Sequence, residues 1–276
     1  MKPIHFSVWF AFGLLSACGG AEEAAPSPTP AKSNDATLSP EAVTTAAAIP
    51  SGLIPSPLEV ENAVRNTGVA SGLVSRVPAD RGYTVTADTH IDRVAMQTGV
   101  LLTDVILSAR DADAKALSMR LAHIHRGLKA LGADDSLLQT VQEFQDGIAG
   151  DVIPREALLE EMARITDMMV PEKKWGPSPQ TGPMVQAGAW LAGVHMVATT
   201  VVDADRIDAA DQLLKHPDVV NYFLGYLSTK NDAPSTILHV LRKRLEDLHL
   251  RTKKEHLTRE DVESIIATTD GIFRQL

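Results

Sequence analysis

The stretch ADAKALSMRLAHIHRGLKALG, Ala112 to Gly132, decides the fold class of this chain. Its large apolar residues Leu117, Leu121, Ile124, Leu128 and Leu131 recur at alternating spacings of four and three. That rhythm places them on one stripe of an α-helix and leaves Lys115, Arg120, Arg126 and Lys129 off it. Gly132 follows the last stripe residue, where a helix end favours a residue that tolerates left-handed backbone. A helix of this kind must bury its stripe against others like it.

The same rhythm returns at Leu238, Leu241, Leu245 and Leu248, on a helix expected to start near Ser235, and at Val262, Ile265, Ile266, Thr269 and Phe273. The latter helix opens with Thr258-Arg259-Glu260-Asp261, a hydroxyl followed three residues on by an acid, which approximates a capping box. Pro154 suits the first turn of a helix carrying Leu158, Met162, Ile165 and Met169. Aromatic residues make up only 4% of the chain, and its apolar content is mostly Leu, Val, Ile, Ala and Met, a mix that favours packed helices over sheets. The fold class expected is all-α, a helical bundle over residues 58–276, long enough for one large or two small cores.

The body also repeats itself. Gln97, Gly99, Leu102 and Val105 match Gln186, Gly188, Leu191 and Val194 at one offset. Further on, the run Ser136 to Val141 resembles Ser235 to Val240, and Pro154-Arg155-Glu156 with Leu158 and Met162 resembles Thr258-Arg259-Glu260 with Val262 and Ile266. Three blocks in one order predict two multi-helix halves, residues 90–170 and 184–276, with insertions in the second. Between them, Pro171 to Pro183 is a Pro/Gly-rich break that no helix is expected to cross.

Candidate chemistry is sparse. His123 and His125 are the closest histidine pair, but two residues apart on a helix they diverge by about 200° and cannot share an ion. No His-Glu-x-x-His, paired Glu-x-x-His, Gly-x-Ser-x-Gly, phosphate loop or dinucleotide fingerprint occurs, so no catalytic, cofactor or metal residue is assigned. Asp104 interrupts the apolar run Val100 to Leu107, and a carboxylate inside a bundle must be paired or shift its pKa. The simpler expectation puts Asp104 on the exposed side of its helix, or in a hydrogen bond between helices. The sharper one has His195, one place from the equivalent position in the other half, facing it across a pseudo-two-fold.

The N-terminal region carries the strongest motif. Lys2 is followed by an apolar run through Leu15 with no acidic residue, too short for a membrane-spanning helix of roughly 20 apolar residues but suited to an export signal. It ends in Leu15-Ser16-Ala17-Cys18, and Cys18 is the only cysteine in the chain. Residues 18–57 are rich in Ala, Pro, Ser and Thr with few large apolar residues, the composition of a flexible tether. A short helix from Ser39 or Pro40 to Ala48 is marginal there.

Leu15-Ser16-Ala17-Cys18 resembles the lipobox of bacterial lipoproteins. The resemblance implies a signal peptide over residues 1–17 and lipidation of Cys18, with several acyl chains holding the chain to a membrane. Gly19 and Gly20 stand where an inner-membrane retention signal would place Asp, which implies the outer membrane, facing the periplasm. More distantly, GVLLTDVIL (Gly99 to Leu107) and QAGAWLAGVHM (Gln186 to Met196) resemble paired helices of uncharacterised all-helical bacterial lipoproteins, which implies a fold and an address without an activity.

A formal charge of −9 disfavours nucleic acid and anionic lipid surfaces, so membrane attachment is expected through the lipid on Cys18 alone. The basic residues Arg242 to Arg244 and Arg251 to Lys254 read as a solvated helix face. Two functional readings stay open. In one, a tethered non-catalytic module binds another envelope protein or a small ligand between its halves. In the other, an envelope enzyme uses Asp104 and His195 at that interface, a site that would show convergent polar groups with shifted pKa values.

Overall fold

In the computed structural model, which describes residues 54–69, 77–78, 81–83, 85, 89–168, 181–228 and 236–276, the chain is all-helical, with no strand among the described residues. Helix α1 (Pro57–Asn66) precedes the first half, which contains α2 (Ile91–Ser108), α3 (Ala114–Ala130), α4 (Asp135–Ala149) and α5 (Arg155–Met168). The second contains α6 (Thr181–Asp203), a short 3-10 turn (Ile207–Ala209), α7 (Ala210–Leu214), α8 (Pro217–Ser228), α9 (Thr236–Thr252) and α10 (Arg259–Phe273). The expected signal peptide, Cys18, most of the tether, the short helix near Ala48 and most of the Pro/Gly break lie outside the described residues.

Local sequence accounts for the helix ends. Ser56 and Glu59 form a reciprocal capping box on α1, with Pro57 in its first turn. Asp113 and Asp134 each accept from the backbone N–H three residues on, at 2.8 Å, and so start α3 and α4. The capping box expected at Thr258 and Asp261 is present in both directions on α10. Gly132 has φ of +76°, and Ala133 N–H reaches back to the Leu128 carbonyl at 3.0 Å, the bond that closes a helix in left-handed backbone.

The stripe of Leu117, Leu121, Ile124, Leu128 and Leu131 is fully buried, as its spacing predicts. One residue off the stripe departs from expectation: Arg120 is buried as well. A second departure concerns α6, which begins at Thr181 inside the expected break. Pro183 then falls in its first turn, where a missing N–H costs no intrahelical bond.

Helices α2 and α6 form the centre, with α3 and α5 packed on α2, and α10 on α6. By length and composition α6 could cross a membrane, but 78% of that apolar window is buried inside the bundle, as befits a core helix apolar on every side. The two central helices meet on glycine. A Cβ on Gly99 would overlap the Val185 carbonyl oxygen and stand 2.8 Å from Ala189 N, and a Cβ on Gly188 would overlap the Met96 carbonyl oxygen. Gly188 and Val185 lie 89 positions beyond Gly99 and Met96, so the two contacts are one contact made twice. In chain order, three helices (α3, α4 and α5) follow α2, and α8, α9 and α10 follow α6 after a turn at Ile207 and the short α7.

Candidate functional site

One turn past the glycine crossing, the apolar run of α2 gives way to Asp104, which is 1% exposed. Its partner comes from outside the helices. Arg81 donates from Nε to Oδ2 at 2.5 Å and from Nη2 to Oδ1 at 2.7 Å, a bidentate pair. The Arg81 side chain is itself only 9% exposed. This corrects the simpler expectation for Asp104: the carboxylate is neither solvated nor bonded across two helices, because a burial this deep requires a fixed cation.

Arg120 of α3 reaches the same layer, donating from Nη1 to Ser108 Oγ at 2.7 Å and from Nη2 to the Pro78 carbonyl at 2.9 Å. Ser108 Oγ in turn donates to the Asp104 main-chain carbonyl at 2.5 Å. The charge on Arg120 is therefore spent on holding the segment before α2 against the bundle. Burial pushes the Asp104 carboxyl up from the usual carboxylate range, while Arg81, Arg120 and His195 draw it back. Burial also works against the charge on Arg81, but Asp104 holds that guanidinium above its ordinary value.

His195 faces this layer from α6, as the sharper expectation had it, although no hydrogen bond joins it to Asp104. Its Nδ1 lies 2.8 Å from Thr269 Oγ1, and its Nε2 lies 3.8 Å from the half-exposed Asp270 carboxylate. Thr269 Oγ1 also donates within its own helix, to Ile265 and Ile266 carbonyls at 3.0 and 2.9 Å. With that proton committed, the pairing assigns the N–H to His195 Nδ1. Burial lowers the His195 pKa below its ordinary value, opposed by Asp270 and reinforced by Arg81. Phe273 lids the group: its ring meets His195 edge-on at 5.4 Å and carries the Arg81 guanidinium 5.2 Å from its centroid.

Tyr83 joins this layer to the surface. Burial pushes its hydroxyl up to about 12, with Asp104 adding to the rise and Arg81 opposing it. That hydroxyl is buried against the Arg81 guanidinium, facing the layer rather than solvent. Tyr83 also lines a cleft of about 180 Å³ with Gln97, Thr98 and Leu101 of α2 and His123, Arg126 and Gly127 of α3. Within this lining α3 packs tightly on Thr98 of α2, since a Cβ on Gly127 would overlap Thr98 Oγ1. Gln97, 3% exposed, donates from Nε2 to the Leu276 carbonyl and leaves Oε1 buried and unpaired.

Sequence reasoning singled out Asp104 and His195, and the structure brings them into one layer. Arg81, Tyr83 and Gln97 escaped it as site residues; only the need of a buried Asp104 for a cation pointed toward an arginine, without saying which. Among the described residues no three His, Cys, Asp or Glu side chains gather as metal ligands would. No protein-family model, curated protein or solved structure matches this chain.

Proposed function

We propose that this chain is a lipid-anchored module of the bacterial cell envelope, attached through Cys18 to the outer membrane and facing the periplasm, whose helical body binds a small ligand without turning it over. The observation that carries the non-catalytic half of this reading is the bidentate Arg81–Asp104 pair. A carboxylate that is 1% exposed and held on both oxygens by one guanidinium lies out of a substrate's reach, so it is not placed to take a proton from one. His195 and Thr269 resemble a base beside a hydroxyl, yet Thr269 is fully buried and no substrate carbon can reach it. The polar layer between the halves thus serves as a structural clamp, and the open cleft lined by Gln97, Thr98, His123 and Arg126 lies beside it.

Anchoring rests on the lipobox-like Leu15-Ser16-Ala17-Cys18 and the single thiol. Mass spectrometry of the mature protein from membrane fractions tests it, with Cys18→Ser as the comparison. Acyl mass on a peptide beginning at Cys18, with release of the variant from membranes, is the expected result. An unmodified Cys18 in a full-length chain would overturn the anchor and the envelope location together.

A further inference from the structure

We infer that the exposed face of α3, with the groove between α3 and α4 beside it, docks a short segment of another protein that carries acidic residues on both sides of an apolar one. The inference goes beyond the small-ligand reading, and the lipid on Cys18 takes no part in it.

The face is a second stripe on α3. Lys115, Met119, Ala122, Arg126 and Lys129 recur at alternating spacings of four and three, the rhythm of the buried stripe shifted by two residues. Two residues turn a helix by about 200°, so this stripe lies opposite the core. Lys115, Arg126 and Lys129 are exposed, Met119 is 37% exposed and Ala122 is half-buried. Cations therefore stand at both ends of an apolar centre.

Charge sets the face apart. The chain has 35 acidic residues against 26 Lys and Arg, yet the 17 residues of α3 include no acid. Lys115, Arg126 and Lys129 make no hydrogen bond or ion pair with any described residue, whereas Arg65, Arg110, Arg164 and Lys254 are each paired with a carboxylate. The neighbouring carboxylates are engaged locally: Asp113 accepts from Ala116 N–H at 2.8 Å, and Asp146 of α4 accepts from Gln142 at 3.0 Å. Unpaired charge of one sign, on a body of the other, steers a partner of complementary charge to that face.

The groove supplies the shape. It holds about 720 Å³ and is lined by Ala114, Ala116, Met119 and Ala122 of α3 with Gln145 and Ala149 of α4. Alanines leave room for a partner's larger side chains, as when an amphipathic helix lies in a groove. A flat bilayer cannot enter a groove, and three cations fall short of the roughly four to eight that mark a lipid-binding segment. Lys115 and Arg126 stand about 16 Å apart along the helix, so the partner's acids should be about eleven residues apart if helical and about five if extended. The exposed Leu250 of α9 offers the contrast. Lys243 and Lys253 flank it, but Glu246 and Asp247 lie between them.

The test uses the full-length chain in the cells that make it, with p-benzoylphenylalanine in place of Met119 and, for comparison, in place of Leu250. Ultraviolet crosslinking is followed by mass spectrometry of the crosslinked peptides. Expected at Met119 is a peptide of another protein with an apolar residue between acids at one of those spacings, and about tenfold less of it at Leu250. Lys115→Glu with Arg126→Glu should cut the Met119 adduct by about tenfold or more, Lys115→Gln with Arg126→Gln by less, and Lys243→Glu with Lys253→Glu not at all. Circular dichroism should be unchanged in all three double variants, since the replaced side chains are exposed. An adduct with lipid alone, with another copy of this chain or with a segment lacking acids would overturn the docking surface. So would no adduct above the Leu250 level, or an adduct indifferent to charge reversal. None of these outcomes bears on Cys18, whose acyl mass is read separately from the same cells.

Discussion

Along the α2 and α6 pair, the glycine crossing and the polar layer one turn away follow opposite rules. At the crossing the two halves agree: Gly99 presses on Val185 and Gly188 presses on Met96, a contact and its image. At the polar layer they disagree. The position equivalent to Asp104 is Gly193, which lies against Val60 of α1, and the position equivalent to His195 is Ile106, an apolar core residue. The difference follows from what touches what. Where backbone meets backbone only one side chain fits, so both halves keep glycine; where side chains fill the space, any combination that satisfies burial and charge will do, and the halves part.

The largest effect should come from breaking the symmetric end. Gly99→Val and Gly188→Val each force a side chain into a carbonyl of the facing helix, which neither helix can yield without separating. Overpacking of this kind costs about 3 kcal/mol or more, at the upper end of what single substitutions do. Urea unfolding followed by circular dichroism should find both variants strongly destabilised and within about 1 kcal/mol of one another. A large loss for one glycine and almost none for the other would break the reciprocity of the crossing.

The asymmetric end should respond to charge instead of volume. Arg81→Met leaves the Asp104 carboxylate buried with its bidentate partner gone, a change expected to cost about 3 to 5 kcal/mol. Pairing it with Asp104→Leu removes the stranded charge, and the double variant should recover most of that loss. A double variant as unstable as Arg81→Met alone would show that the layer depends on the ion pair itself rather than on avoiding a lone charge.

The two ends were also unequally legible in the sequence. Every leucine of the Ala112 to Leu131 stripe went where its spacing placed it, and Thr258 with Asp261 capped α10 as written, because periodicity and capping are local and the chain carries them within a few residues. The paired glycines could be aligned from sequence, but their contact could not be foreseen, since approach between helices is set by tertiary packing. Asp104 announced a problem and hid its solution: Arg81 is 23 residues away on an irregular segment with no rhythm to mark it. Arg120 was misplaced for a related reason. Off-stripe position predicts solvent only where no other segment covers that side, and here the Pro78 carbonyl does.

His195 offers a milder way to sharpen the comparison, through pH. Because burial holds its folded pKa below the ordinary imidazole value of about 6.5, the unfolded chain takes up the proton first as pH falls. Its contribution to stability is therefore complete above that value and is lost as pH drops below it. His195→Gln should flatten the fall in unfolding free energy between neutral and mildly acidic pH, at a cost of about 1 kcal/mol at neutral pH for the bond to Thr269. The slope should not vanish, since burial also depresses His216 and His249. An unchanged slope would mean that Asp270 and Asp104, which face His195 and favour its charged form, offset both burial and the opposing charge of Arg81.

The smallest effect is a gain. Gly225 lies in α8 with nothing within 4 Å of where a Cβ would stand, so none of the contact that holds Gly99 acts on it. Gly225→Ala should then stabilise the chain by about 0.5 to 1 kcal/mol, since alanine loses less freedom than glycine on entering a helix. Thermal unfolding that rises by a few degrees would confirm that glycine is kept at the crossing by the opposing backbone and at Gly225 by nothing inside this chain. A loss of stability would instead show that a methyl at Gly225 is crowded in the folded chain, and the distinction between held and free glycines would fail.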